Sequence, residues 1–212
     1  MGKGEQTRQA IIEKAAPLFN RRGFEGCSMA DIMEATGLEK GGVYRHFGSK
    51  EELAAAVFLY SMQTAIGVRS VADHPELDAI SRLRLMVERF VTVPSPLPGG
   101  CPLLNTAIDT DDGNPTLRAL VQDALAEWKA RIRKIVRQGI ADGQIGSSVD
   151  PQSIANLIIS TLEGALMIAR LEGNRRALQD VRASLDLHLA TLAAKPAPRR
   201  RKQIRTTSSA AK

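Results

Sequence analysis

The stretch Gly23-Phe24-Glu25-Gly26-Cys27-Ser28-Met29-Ala30-Asp31-Ile32-Met33-Glu34-Ala35-Thr36-Gly37-Leu38-Glu39-Lys40-Gly41-Gly42-Val43-Tyr44-Arg45-His46-Phe47-Gly48-Ser49-Lys50 decides the fold. Ser28 stands where a helix begins, and Asp31, three residues on, resembles the acid of a capping box. That helix is short and ends at Gly37. A third helix follows Leu38, from Glu39 to about Phe47. Two short helices joined by a three- or four-residue turn containing Gly are the sequence form of a helix-turn-helix. Ile32, Ala35, Leu38, Val43 and Phe47 supply its internal core.

A reading helix in a major groove needs small residues where the backbone comes close and donors where phosphates lie. Gly41 and Gly42 remove side chains at the start of the third helix. Two glycines in one short helix cost stability, so a contact reason is favoured over tolerated poor helix sequence. Lys40, Tyr44, His46 and Lys50 can each reach a phosphate, which fixes position without reading sequence. Ser28 is an ordinary N-cap and also a candidate phosphate ligand, together with the free N–H groups of its helix. Arg45 has two readings, paired hydrogen bonds to a guanine or another phosphate clamp.

Outward from this stretch the chain is helical. Ile11, Ile12, Ala15, Leu18 and Phe19 share one face of a first helix, Gln6 to Arg22, which Pro17 should bend slightly. Gly23 is expected to close it in a left-handed cap, with Phe24 as an apolar clasp. Ser49 caps a fourth helix with Glu51 and Glu52 in its first turn, where the positive helix end favours acids. Further helices are expected over Ile80–Val93, Cys101–Asp109 and Pro115–Ala141. The Pro- and Gly-rich run 94–100 forms a loop. The expected fold is all-α: a three-helix helix-turn-helix domain over 1–50, a six-helix ligand-sensing and dimerisation domain over 51–194, and a disordered basic tail over 195–212.

The helix from Pro151 to Leu171 is apolar nearly all the way round, so it must be buried on two sides. The last helix, Arg175 to about Ala193, carries a single apolar stripe. Both could fill their own core. The favoured reading is a subunit interface, a four-helix contact using Ile154, Leu157, Ile158 and Leu162 with Leu178, Val181, Leu185, Leu189 and Leu192.

The net charge of +6 invites a nucleic-acid reading, but seven basic residues past position 194 account for it. Without them 22 basic residues face 23 acidic ones, so DNA binding has to be argued locally. The tail remains a candidate source of salt-sensitive, sequence-independent affinity. Two cysteines are too few for a disulfide framework. No apolar leader opens the chain, and the longest apolar run, Leu157 to Ala169, is broken by Glu163 and too short to span a bilayer. A cytoplasmic protein away from membranes is expected. No nucleophilic triad, nucleotide-cradling loop or metal-ligand cluster is recognisable. His46, His74 and His188 lie far apart, so no enzyme, metal or cofactor is expected.

The first fifty-five residues resemble the DNA-binding domain of the tetracycline-repressor (TetR) family. The marks are Ala15-Ala16, Leu18-Phe19, Gly23-Phe24, Ser28, Asp31-Ile32, Ala35, Gly37, Lys40, Gly41, Val43-Tyr44, His46-Phe47 and Ser49-Lys50-Glu51. The family often has Ser or Thr where this chain has Glu39, a departure that removes a cap hydroxyl. The resemblance implies a homodimeric repressor on a palindromic double-stranded operator, with two reading heads about 34–36 Å apart or a multiple of that. It also implies a cavity for a small-molecule inducer, for which Met86, Phe90, Cys101, Leu103, Leu104, Trp128, Ile132, Leu162 and Met167 are candidate walls, residues of a kind more often found as plain core. Cys101 opens a helix at Pro102, and a helix N-terminus stabilises a thiolate. Its stretch, 100–107, is similar to one in family members that answer reactive electrophiles, which makes a cysteine switch an alternative. A small buried apolar residue is the simpler reading of Cys101. A helical scaffold without DNA recognition is the remaining alternative.

Overall fold

The computed structural model describes residues 2–69, 74, 76–110 and 113–194. The tail over 195–212, and any role for it, lies outside these. Nine helices occur among the described residues: α1 (Lys3–Arg22), α2 (Met29–Thr36), α3 (Lys40–Tyr44), α4 (Lys50–Arg69), α5 (Ala79–Thr92), α6 (Pro102–Asp109), α7 (Pro115–Ala141), α8 (Pro151–Glu172) and α9 (Arg176–Thr191). Side-chain caps set several starts. Asp78, Asn114 and Asp150 each accept from first-turn N–H groups, and Pro at the first turn follows Asn114 and Asp150.

Two cores hold these helices. Ile11, Ile12, Ala15 and Ala16 of α1 pack on Ile32, Val43 and Phe47, and the same core takes in Leu53 and Val57 of α4 and Leu97 of the α5–α6 loop. The larger core lies among α5, α7, α8 and α9, with Leu83, Ile132, Ile158, Leu162 and Leu189 almost fully buried. A small cluster of Phe58, Cys101, Leu103 and Val121 joins α4, α6 and α7. Gly139 permits the closest helix approach, since a Cβ there would stand 2.4 Å from the Ala79 Cβ.

Three local expectations change. Gly23 has positive φ but extended ψ (76°, 178°), not a left-handed cap. Leaving α1 in this way lets the Phe24 N–H donate to the Asp109 carboxylate of α6. The third helix stops at Tyr44 rather than near Phe47, because a tight turn from His46 N–H to the Val43 carbonyl swings Phe47 into the core. The first helix starts at Lys3, one turn earlier than expected.

The interface expectation fails on its choice of face. Ile154, Ile158, Leu162, Leu178, Leu185, Leu189 and Leu192 are all buried in the chain's own core and have no surface to offer a partner. Val181 packs half-buried against that core. Of the nine, Leu157 alone is exposed. The apolar residues left outside are Leu157, Met167, Ile168 and Leu171 on α8 and Leu187 on α9. The most regular apolar stripe goes to the nearest helices of the same chain, and the remaining face of α8 stays bare. α8 is also long and apolar enough by composition to cross a bilayer (mean hydropathy 1.5), yet its other face is core.

Candidate functional site

The N-terminal helices place one short exposed helix on a rigid support. α2 is held by a complete capping box: the Asp31 N–H donates to Ser28 Oγ at 3.2 Å, and the Ser28 N–H donates to Asp31 Oδ2 at 2.8 Å. Gly37 closes α2 in the left-handed region (φ 71°, ψ 21°), where glycine costs nothing. The turn then releases α3, whose Val43 is buried while Lys40, Gly41, Tyr44 and Arg45 face outward. A Cβ added at Gly41 meets nothing within 4 Å, so packing gives no reason for a glycine there. At Gly42 a Cβ would touch Leu38 at 3.4 Å, an ordinary contact. Glu39 precedes α3 without a side-chain cap bond, as expected for a residue lacking a hydroxyl.

The cations are arranged by aromatic rings. Lys40 Nζ lies 5.8 Å from the Tyr44 ring centroid, and Lys50 Nζ lies 4.3 Å from that of Phe24. These contacts orient Lys40 and Lys50 while leaving their ammonium groups uncommitted to a carboxylate. His46 is half-buried beside them. Ser28 departs from its second expected role. Its hydroxyl donates to Asp31 Oδ2 at 2.5 Å, so the capping carboxylate already occupies that helix end and would repel a phosphate.

Asp31 is held well below the usual carboxylate range, at about 2, chiefly by the Ser28 hydroxyl and N–H and by Arg22, whose guanidinium lies 2.5 Å away. The unfolded chain therefore binds more protons than the folded one in acid. Asp31's contribution is fully present above its unfolded pKa, near 4, and is lost as pH falls towards about 2. The denaturation midpoint of wild type should fall more steeply than that of Asp31→Asn as pH drops from about 5 towards 2. Parallel pH profiles would contradict this.

The second feature is a cavity of about 430 Å3 among α4, α5, α6 and α7. Met86, Phe90, Cys101, Leu103 and Trp128 line it, as expected, and Phe90 and Trp128 stack with centroids 5.8 Å apart. Four expected walls lie elsewhere. Ile132 and Leu162 are core, Leu104 packs in the α4–α6–α7 cluster, and Met167 is on the exposed face of α8. Each sits on a lining helix, or next to one, but its own turn points it away. The sequence reading missed Met62 and Ile66 of α4 and three cations, Arg82, Arg131 and Lys134. A signal existed on α7, where Trp128, Arg131 and Ile135 share one helical face.

Cys101 is buried against the cavity, and its thiol is not activated. Burial pushes its pKa far up, and the nearby Glu163 carboxylate, to which the thiol is hydrogen-bonded, pushes it further. The N–H groups opening α6 pull the other way and lose. Cys27 is raised too, again mainly by burial. We expect both thiols of the folded protein to react with an aromatic disulfide reagent at least about 100-fold more slowly than in denaturant. Fast labelling of Cys101 at neutral pH would favour the cysteine-switch reading.

α6 touches both features. At its start Cys101, Pro102 and Leu103 wall the cavity. Further on, Asn105 Nδ2 donates to the Asn20 carbonyl at 2.9 Å and to Asn20 Oδ1 at 3.0 Å, and Asp109 accepts from the Phe24 N–H. Asn20 in turn donates to the Pro98 carbonyl at 2.9 Å, tying the end of α1 to the loop that enters α6.

Comparison with known proteins agrees with this arrangement. Residues 11–57 match the model for bacterial regulatory proteins of the tetR family, and residues 79–185 match the model of a tetracyclin repressor-like C-terminal domain. The chain is similar to a TetR transcriptional regulator of Chloroflexus aurantiacus J-10-FL, with 41% identity and a TM-score of 0.85, covering 91% of this chain and 98% of that one. A TetR-family regulator of Cytophaga hutchinsonii gives 34% identity and a TM-score of 0.84, over 92% and 99% of the two chains. The HTH-type transcriptional repressor DhaR of Mycobacterium sp. (strain GP1) is 26% identical over 175 residues, 81% of this chain and 86% of that protein. With both regions matched and the fold shared over 91% of the chain, it belongs to the TetR family of DNA-binding transcriptional regulators.

Proposed function

We propose that this protein is a cytoplasmic, non-enzymatic repressor that binds a palindromic operator as a homodimer and lets go when a small molecule enters the α4–α7 cavity. Lys40, Tyr44, His46 and Lys50 contact phosphates, Arg45 reads a base, and Gly41 and Gly42 let the α3 backbone approach the groove. The protomers associate through the bare faces of α8 and α9, with Leu157, Met167, Ile168, Leu171 and Leu187 at the contact. The domain over 1–50 carries recognition, and that over 51–194 carries sensing and association.

The observation that carries this reading is the double attachment of α6. One helix both walls the cavity and holds the end of α1 through Asn105 and Asp109. A ligand that favours one position of α6 thereby favours one placement of the reading head, and release follows from that differential affinity.

A panel of apolar and amphipathic small molecules tests it by two readouts, Trp128 emission for binding and anisotropy of a labelled operator for release. Wild type should release DNA with those members that perturb Trp128, the sole tryptophan. Asn105→Ala should still bind them but require at least about tenfold more for half-release, since its link to Asn20 is gone. Binding by the panel with operator retained throughout would contradict the proposal.

A further inference from the structure

The cavity is apolar inside and cationic at its entrance. Met62, Ile66, Met86, Phe90, Leu103 and Trp128 supply the walls. Arg82 of α5 and Arg131 and Lys134 of α7 also line it, and no acidic side chain joins them among the described residues. Arg82 is half-buried, and its Nε is shielded from water with no hydrogen-bond acceptor among the described residues. Arg131 reaches Glu127 at 3.2 Å, on the solvent side where both are exposed. Lys134 is exposed and has no ion pair among the described residues.

We propose that the effector is an amphipathic anion, an apolar aliphatic or aromatic body carrying a carboxylate, with its head on Arg82 and its body among the apolar walls. This rests on the ligand-release reading above. A guanidinium offers parallel N–H groups that match a carboxylate's two oxygens, and Arg82 lines the cavity without an ion pair among the described residues. Arg131 and Lys134 attract the anion to the entrance and help neutralise it. A neutral amide of the same shape offers one acceptor oxygen and no charge, so the charge-assisted pair is lost. A cationic one is repelled by three like charges, of which only Arg131 is paired, with Glu127, among the described residues.

The test uses the full-length dimer and two skeletons, octyl and 2-naphthyl, each as acid, primary amide and amine. Binding is read from Trp128 emission and checked by calorimetry. In each series the acid should bind at least about tenfold more tightly than the amide, with the amine weakest. Arg82→Gln should remove most of the acid's advantage. The exposed pair Arg131→Gln, Lys134→Gln, which does not touch the core, should reduce the advantage and its decline with added salt. Equal binding of acid and amide, an acid preference undiminished by Arg82→Gln, or no acid bound in either series overturns the proposal. Operator release is scored separately. Acid binding without release contradicts the repressor mechanism and leaves the head-group preference standing.

Discussion

Gly41→Leu should leave the folded protein at least as stable as wild type and weaken operator binding at least about 100-fold. A Cβ at Gly41 meets no atom within 4 Å, so a larger side chain projects into open space. Replacing a helical glycine by a good helix former gains up to about 1 kcal/mol. On DNA the same open space is where the groove must come. A side chain there keeps the α3 backbone from its phosphates, and a 100-fold loss corresponds to only about 2.8 kcal/mol shared by two heads. Thermal melting and a mobility-shift titration measure the two effects. A structural glycine would show the reverse pattern, lower stability with unchanged binding.

The second large effect concerns association. Met167 and Leu187 are 50% and 72% exposed, so Met167→Glu with Leu187→Glu disturbs little packing within a protomer. Across a twofold contact it places like charges in an apolar patch. We expect sedimentation to give a monomer at micromolar concentration and operator affinity to fall about 100- to 10,000-fold, because two linked heads gain that much from effective concentration. Melting should shift only by the loss of association. Leu162→Ala makes the opposite case. Leu162 is fully buried, and its truncation should cost about 2–5 kcal/mol of folding stability. Retained dimerisation in the double Glu variant would move the interface elsewhere.

The parts legible in the sequence were those decided locally. Ser28, Asp31 and Gly37 fix α2 and its turn within ten residues, and their geometry follows from single side chains meeting nearby backbone groups. The apolar face of α1 was legible for the same reason, since Ile11, Ile12 and Ala15 recur at helical spacing. What escaped depended on which neighbour each face would meet. α8 is apolar on every side, so periodicity could not rank its faces, and Ile158 was assigned to a partner although it belongs to the core. The cavity cations escaped because Arg82 and Arg131 lie about fifty positions apart and meet only through helix packing. Cys101 is buried, as its simpler reading expected, but what silences its thiol was only partly visible. The helix terminus is local and visible, whereas the burial and the Glu163 carboxylate that outweigh it come from distant chain.

The central claim is that a twofold pair of these chains reads DNA through α3. It is tested most directly by selecting bound duplexes from a random pool with the full-length protein, then weighing the complex. The account predicts recovered sites with inverted half-sites, centred about 10–10.5 base pairs apart or a multiple of that, and an even number of chains per duplex. A single chain on each duplex, drawn from a pool left without sequence preference at moderate salt, would contradict it.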